Sequence, residues 1–298
     1  MMEHRYLELF TDWDIPPVAS FALAVGAILY SIGWDRARKT RPEELPCWRL
    51  VAFLSGILAI FIAISSPLDT LSESLLFMHM AQHFVLMSVA PPLIVLGAPV
   101  VPLLRALPRR LIRACLGPLV ASRSVRWLIG MATRPSISWL AMNLAYVGWH
   151  IPAAYEFALR SEGWHNIEHA CFLFTSILFW WPVISPWPSD QRRLQLSAVP
   201  YLLGADLVNT GVSALLCFSG TLIYASYANT ERRLPISPLN DQVAAGAFMW
   251  VFGSMVFLIP VAAIIMQALS IRGVSRLSSI ASGAISAKQL PYTERKAV

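Results

Sequence analysis

Residues 77–96 read FMHMAQHFVLMSVAPPLIVL. These twenty positions carry no Asp, Glu, Lys or Arg. About 20 mostly apolar residues are what a helix needs to cross the hydrocarbon of a bilayer, where every backbone N–H and C=O must be satisfied within the segment. The stretch therefore predicts a membrane span. It also holds His79, Gln82 and His83, so it is more than an anchor. Working outward, residues 18–34 and 50–65 upstream share its character, as do residues 136–149, 167–184, 199–218 and 243–269 downstream. Residues 136–149 are the shortest stretch and hold Asn143; that helix can run on past Pro152. Composition agrees, since 56% of the 298 residues are hydrophobic and 13% charged, with mean hydropathy +0.58. A soluble domain carries about 25% charged residues. A cytosolic enzyme, a disordered chain and a secreted disulfide scaffold are excluded; Cys47, Cys115, Cys171 and Cys217 are too few and too scattered for the last. The expected fold is all-α: a polytopic membrane bundle of seven transmembrane helices in one domain, residues 1–269. A basic tail rich in Ser and Ala, residues 270–298, follows and reads as mobile. Residues 1–14 are acidic and aromatic, unlike the basic start of a signal peptide, so the first span is expected to be retained.

Charge sorts to one side of these spans. The connections after spans 1, 3 and 5, together with the tail, hold five, seven, two and five Lys or Arg, nineteen in all. The alternate segments hold four: Arg5, Arg160, Arg232 and Arg233. Positive residues stay in the cytoplasm, which puts the N-terminus outside, the C-terminus inside, and requires an odd number of spans. Tryptophans follow the same division, with Trp13, Trp149 and Trp164 near the outer boundary and Trp34, Trp48, Trp139, Trp180 and Trp181 near the inner one. Residues 102–134 are too polar to span. Leu103, Leu104, Leu107 and Leu111 interleave with Arg105, Arg109, Arg110 and Arg113, which suits a basic amphipathic helix on the anionic cytoplasmic leaflet; a plain basic loop that enforces topology is the alternative.

All six histidines, His4, His79, His83, His150, His165 and His169, then fall on the outer side. His79 and His83 are i and i+4, as are His165 and His169, and such pairs share one helical face. That spacing suits two imidazoles on one metal. Two helices offering a pair each, with His150 as a fifth donor, make a candidate site for Cu, Zn, Ni or Fe, and Met78, Met80 and Met87 bias it toward Cu(I). Interfacial packing is the plainer account of one such pair, and core filling that of the methionines. The His-Glu-x-x-His motif of a metalloprotease is lacking, and Glu168, directly before His169, is expected to point elsewhere. Cys171 and Cys217 read as thiolate ligands, a disulfide, or inert buried thiols. Asp206 and Asn209, one turn apart at mid-membrane, read either as a proton or ion path or as a helix–helix hydrogen bond. Asp241 is either the cap of its own helix or a carboxylate that orients a ligating histidine.

Several of these residues recur in order as a pattern. His79-Met80-Ala81-Gln82-His83 runs into Ala90-Pro91-Pro92-Leu93 and Leu96-Gly97-Ala98-Pro99. Trp149-His150-Ile151-Pro152 with Tyr155, Trp164-His165-Asn166-Ile167-Glu168-His169, Phe179-Trp180-Trp181-Pro182, Leu239-Asn240-Asp241-Gln242, Gly246 and Met249-Trp250 follow. From His79 to Trp250 this closely resembles the caa3-type cytochrome c oxidase assembly factor family, the bacterial multi-spanning CtaG proteins. The resemblance implies a non-catalytic protein of the bacterial inner membrane, a multi-pass chain that matures a haem-copper oxidase by supplying or inserting copper. It differs from the similarly named single-span copper chaperone and lacks that chaperone's cysteine pair.

The expected function is thus copper binding at an outer histidine cluster and delivery to an oxidase subunit or a copper chaperone, with membrane lipid as surroundings and no nucleic acid partner. Neutral imidazole is the ligand form, so binding should weaken as pH falls through about 6.5. Rival readings are a transporter of copper ions or protons using Asp206, a bis-His haem protein, and a membrane metalloenzyme of the diiron desaturase kind, whose histidine boxes belong on the cytoplasmic side.

Overall fold

Each long apolar stretch becomes a helix, and proline marks most of the ends. A computed structural model of the protein describes residues 13–188, 196–228, 230 and 235–288, with side chains to residue 270. His4 and Arg5, Arg192 and Arg193, and Arg232 and Arg233 lie outside the described residues. α1 spans Pro17–Arg38, with Pro17 at the first helical position, where a missing N–H costs nothing. α2 is Cys47–Ser65. The short α3, Pro67–Ser72, is capped by Ser66, whose hydroxyl accepts from the Leu68 N–H. α4 is Leu76–Leu96. It is α-helical to Phe84, then makes a π-helical turn over Val85–Val89. That turn stands directly before Pro91 and Pro92, which donate no N–H; the widened turn lets the Ala90 N–H reach Val85 O.

The segment expected as one surface helix is three pieces. α5, Val100–Ala106, packs on α1. Gly33 of α1 makes that approach possible, because a Cβ there would stand 1.7 Å from Pro102 O. Leu107 turns extended ahead of Pro108, as residues before proline do. α6 (residues 109–121) and α7 (Arg123–Ala132) follow, and neither buries a residue. α8 is Pro135–His150, α9 Pro152–Leu159, α10 Glu162–Ile184, α11 Ala198–Phe218 and α12 Pro238–Lys288. α12 therefore continues as backbone helix into the expected tail. Among the described residues there is no strand.

Among the described residues, six helices are long and apolar enough to cross a membrane: α1, α2, α4, α10, α11 and the Pro238–Ser270 part of α12. The chain is a multi-pass membrane protein. The expected fourth span is the 16-residue α8, which Ile151, extended ahead of Pro152, separates from α9. Large apolar side chains such as Phe21, Leu58, Leu144, Phe174, Leu207 and Ile259 face outward, as a bilayer requires. Trp34 and Trp180 are core residues, so packing rather than an interface places them.

The main core joins α4, α8, α10, α11 and α12 around Leu76, Met80, Tyr146, Phe172, Phe179, Leu202 and Met249. α1, α2 and α5 form a second cluster around Tyr30, Leu45 and Phe53. α4 touches both sets and is the central helix.

Candidate metal centre

The first turns of α4 and α10 and the last turn of α8 meet at one end of the bundle, and each brings imidazole. On α4 the His79 and His83 rings are 4.3 Å apart, centroid to centroid; on α10 the His165 and His169 rings are 4.1 Å apart. Across the two helices His79 faces His165 at 5.1 Å and His83 faces His169 at 5.3 Å. His150, the last residue of α8, stands 6.5 Å from His83. All five predicted histidines thus come together. Four are buried, from 0% exposure at His79 to 8% at His150 and His169, and His165 is half-buried.

Glu168 joins them, against the sequence expectation. It is 1% exposed, and its Oε1 lies 3.8 Å from His83 Nε2. Adjacency to His169 suggested a different face, but Glu168 is i+3 from His165, and i, i+3 and i+4 lie together on a helix. The legible signal was His165-x-x-Glu168-His169, the spacing of the inverted zincins. Donor atoms of His79, His83, His165 and Glu168 lie within 4.8 Å of one another. Two donors on opposite sides of an ion, each at about 2.1 Å, are about 4.2 Å apart, so small side-chain shifts would close this set on one ion.

Hydrogen bonds fix which ring nitrogens are free. His150 Nδ1 is 2.7 Å from Tyr146 O, a carbonyl that can only accept, so Nδ1 carries the proton and Nε2 presents a lone pair. Tyr227 donates its hydroxyl proton to Ser72 O at 2.9 Å, which leaves its oxygen to accept. It accepts from Tyr155 at 3.0 Å and from His79 Nδ1 at 3.3 Å. His79 Nε2 is then the free lone pair. Such outer partners orient metal-ligating histidines. Burial pushes the Tyr155 and Tyr227 hydroxyls above their ordinary range, so both stay protonated and keep these roles.

Eight buried atoms on these six residues have no hydrogen-bond partner among the described residues: His79 Nε2, both nitrogens of His83, Nε2 of His150, His165 and His169, and both oxygens of Glu168. An unsatisfied buried polar group costs about 1–3 kcal/mol. Those on His79, His83, His165 and Glu168 lie close enough together to face one cation. The way in is an open cavity of about 1010 Å³, lined by Asp14, Asp69, Glu73 and Glu162 and reaching His79, His165 and His169. Its acidity favours cations over anions. Burial raises the Asp69 carboxyl, partly offset by a hydrogen bond from Gln82 Nε2. A smaller cavity of about 50 Å³ lies against His83 and His150, with Met80 in its lining.

The remaining predicted residues have other duties. Asp241 reaches across to another helix. Its carboxylate accepts from the Leu76 and Phe77 N–H groups at 2.9 and 3.0 Å, capping α4 and setting the first turn that carries His79. Ser237 caps α12, accepting from the Asn240 N–H at 3.2 Å. No hydrogen bond between Asp206 and Asn209 is among the described contacts. Asn209 accepts from Tyr146 at 3.0 Å and donates to Met249 O at 3.3 Å, a helix–helix tie. Asp206 is half-buried, its Oδ1 has no partner, and it lines neither cavity. Cys171 and Cys217 are free thiols, not a disulfide.

An uncharacterized protein of Mycobacterium leprae is 25% identical over 268 residues, covering 88% of this chain and 40% of its own length. Uncharacterized proteins of Mycobacterium bovis and Mycobacterium tuberculosis are 25% identical over 267 residues, again 87% of this chain and 40% of theirs. The chain thus spans about two fifths of the length of these relatives. No solved structure matches it. The cytochrome c oxidase caa3 assembly factor family model (Caa3_CtaG) matches residues 28–270, through the histidine cluster and five of the six long helices in full, and the chain belongs to that family.

Proposed function

We propose that the protein is a copper-handling assembly factor: it takes a copper ion through the acidic mouth onto the histidine–glutamate cluster and passes it to a haem-copper oxidase subunit or a copper chaperone. The observation that carries this is the grouping of His79, His83, His165 and Glu168, whose donor atoms lie within 4.8 Å of one another and include buried atoms with no hydrogen-bond partner among the described residues. Five imidazoles and one carboxylate suit copper, zinc, nickel or iron by ligand type, and the family's part in cytochrome c oxidase assembly favours copper as cargo. The neutral imidazoles donate lone pairs, Glu168 supplies a negative charge, and the Tyr227 and Tyr146 contacts hold the ring nitrogens in register. Protonation of the imidazoles competes with the ion, so release is favoured as pH falls.

The cluster faces the outer side of the bacterial inner membrane, with the N-terminus outside and the C-terminus in the cytoplasm. The split of Lys and Arg supports this. Seven crossings are proposed. α4 and α10 both begin at the cluster, so the chain between them returns across the bilayer, and α8, ending there at His150, is the element that returns. At 1.5 Å per residue its 16 residues span about 24 Å, short of a typical core. No reaction is proposed, so the protein is not an enzyme in this reading.

Metal analysis of protein purified in detergent tests the function. Wild type is expected to carry or take up copper, and His79→Ala with His169→Ala to lose it. Unchanged copper in the double variant would make the histidines structural. Strong Soret absorbance would favour the bis-His haem reading, and copper flux in proteoliposomes that Asp206→Asn abolishes would favour a transporter.

A further inference from the structure

Among the described residues, His83 is the one histidine of the cluster with both ring nitrogens buried and without a hydrogen-bond partner. Its Nε2 lies toward Glu168, at 3.8 Å. The two ring nitrogens of a neutral imidazole point in diverging directions, one carrying a lone pair and the other an N–H, so an ion held with Glu168 engages one nitrogen of His83 and leaves the other unserved. His83 also lines the cavity of about 50 Å³, which shares no lining residue with the acidic mouth. His150 lines it too, with its free Nε2, and so does Ser176, whose buried Oγ has no partner. Ser176 is 1% exposed and His83 3%, so water does not account for these groups as a surface would.

The rest of that wall is soft. Met80 and Met87 from α4, Met142 from α8 and Met249 from α12 line it, all at 8% exposure or less. No Asp, Glu, Lys or Arg is among its lining residues. The outer mouth is the opposite, with four carboxylates. A dication without a counter-charge is costly in such surroundings, whereas thioether with imidazole selects Cu(I). The volume exceeds the roughly 10–15 Å³ that one water needs.

We propose that this inner cavity is a second copper site, specific for Cu(I), formed by His83 or His150 with methionine sulfur, and that His83, presenting its single lone pair to one side at a time, links it to the outer cluster. The proposal rests on the copper reading above and adds a second ion in a different ligand field. An ion entering through the mouth meets nitrogen and carboxylate first, then sulfur. No electron transfer is required, because the ion is supplied and held as Cu(I).

The test loads purified full-length protein anaerobically with Cu(I) in competition with a chromophoric Cu(I) chelator. It reads copper per chain and the copper X-ray absorption spectrum. Wild type is expected to take two ions and to show Cu–S scattering. Replacing Met80, Met87, Met142 and Met249 together with Leu, near volume-conserving changes, is expected to leave one ion and to remove sulfur scattering. His165→Ala with Glu168→Gln is expected to keep the sulfur-bound ion. One nitrogen-bound ion in wild type, or sulfur scattering unchanged in the methionine variant, overturns the inner site and leaves the outer one standing. No copper in wild type overturns both.

Discussion

Replacing Glu168 with Gln changes one oxygen to an NH₂ group and keeps the volume, and the structure predicts effects of opposite sign with and without copper. Without the ion, both carboxylate oxygens are buried and unpartnered. Such groups cost about 1–3 kcal/mol each, and an amide can donate to a neighbouring imidazole lone pair. Stability of the copper-free protein is therefore expected to be unchanged or higher in the variant. A gain of about 1 kcal/mol would raise Tm by about 2–4 °C for a chain of this size class. With the ion, the variant lacks the one anion in the donor set. A unit charge pair at about 4 Å is worth about 4 kcal/mol at an effective dielectric constant of 20. If three quarters of this survives relaxation, copper affinity falls by more than about 100-fold. The assay is paired: thermal unfolding of copper-free protein in detergent, and a chelator-competition titration of the same sample. A variant that loses several degrees of Tm while binding copper as wild type does would refute the reasoning, since Glu168 would then be a structural residue.

Three further outcomes follow from the geometry. Asp241→Ala leaves the Leu76 and Phe77 N–H groups without their acceptor and should cost about 2–4 kcal/mol, read as a clear fall in Tm together with weaker copper binding; an unaltered Tm would show that the cap does not hold α4. Gly33→Ala drives a methyl group into Pro102 O and should prevent accumulation of folded protein, whereas Gly211→Ala, with open space around its Cβ position, should be neutral; equal yields would contradict the α1–α5 packing. Asp69 has its folded carboxyl raised by burial, so the folded state binds that proton more tightly than the unfolded chain does. Its charge then opposes folding above the folded-state value, and the penalty fades as pH falls toward the unfolded value of about 3.9. Asp69→Asn, which keeps an acceptor for Gln82, should be more stable than wild type at pH 7 and equal to it near pH 3.5, measured by Tm across that range; a less stable variant at pH 7 would reverse the sign.

Local pattern carried much of this protein openly. Unbroken apolar length made residues 77–96, 199–218 and 243–269 helices whatever their neighbours, because unpaired backbone groups are too costly in lipid. The i, i+4 spacing placed each histidine pair on one face by helical geometry alone, and charge alternation separated the two ends. Where proline and tertiary packing compete with pattern, the sequence was less legible. The alternating Leu and Arg of 102–134 suggested one helix, yet Pro108 breaks it and Gly33 draws Pro102 onto α1.

Convergence was decided only in three dimensions. That His79 faces His165 depends on α4 and α10 lying side by side, and that His150 joins them depends on where α8 ends; neither distance is encoded by spacing along one chain. Glu168 entered the site through its i+3 relation to His165 once a facing helix defined which side was inward. Asp241 caps a helix 165 residues away in sequence, and Asn209 bonds across helices rather than to Asp206. Helices are local, so composition and period specify them. A coordination site is a meeting of distant residues, and the packing of the whole bundle brings them to one point.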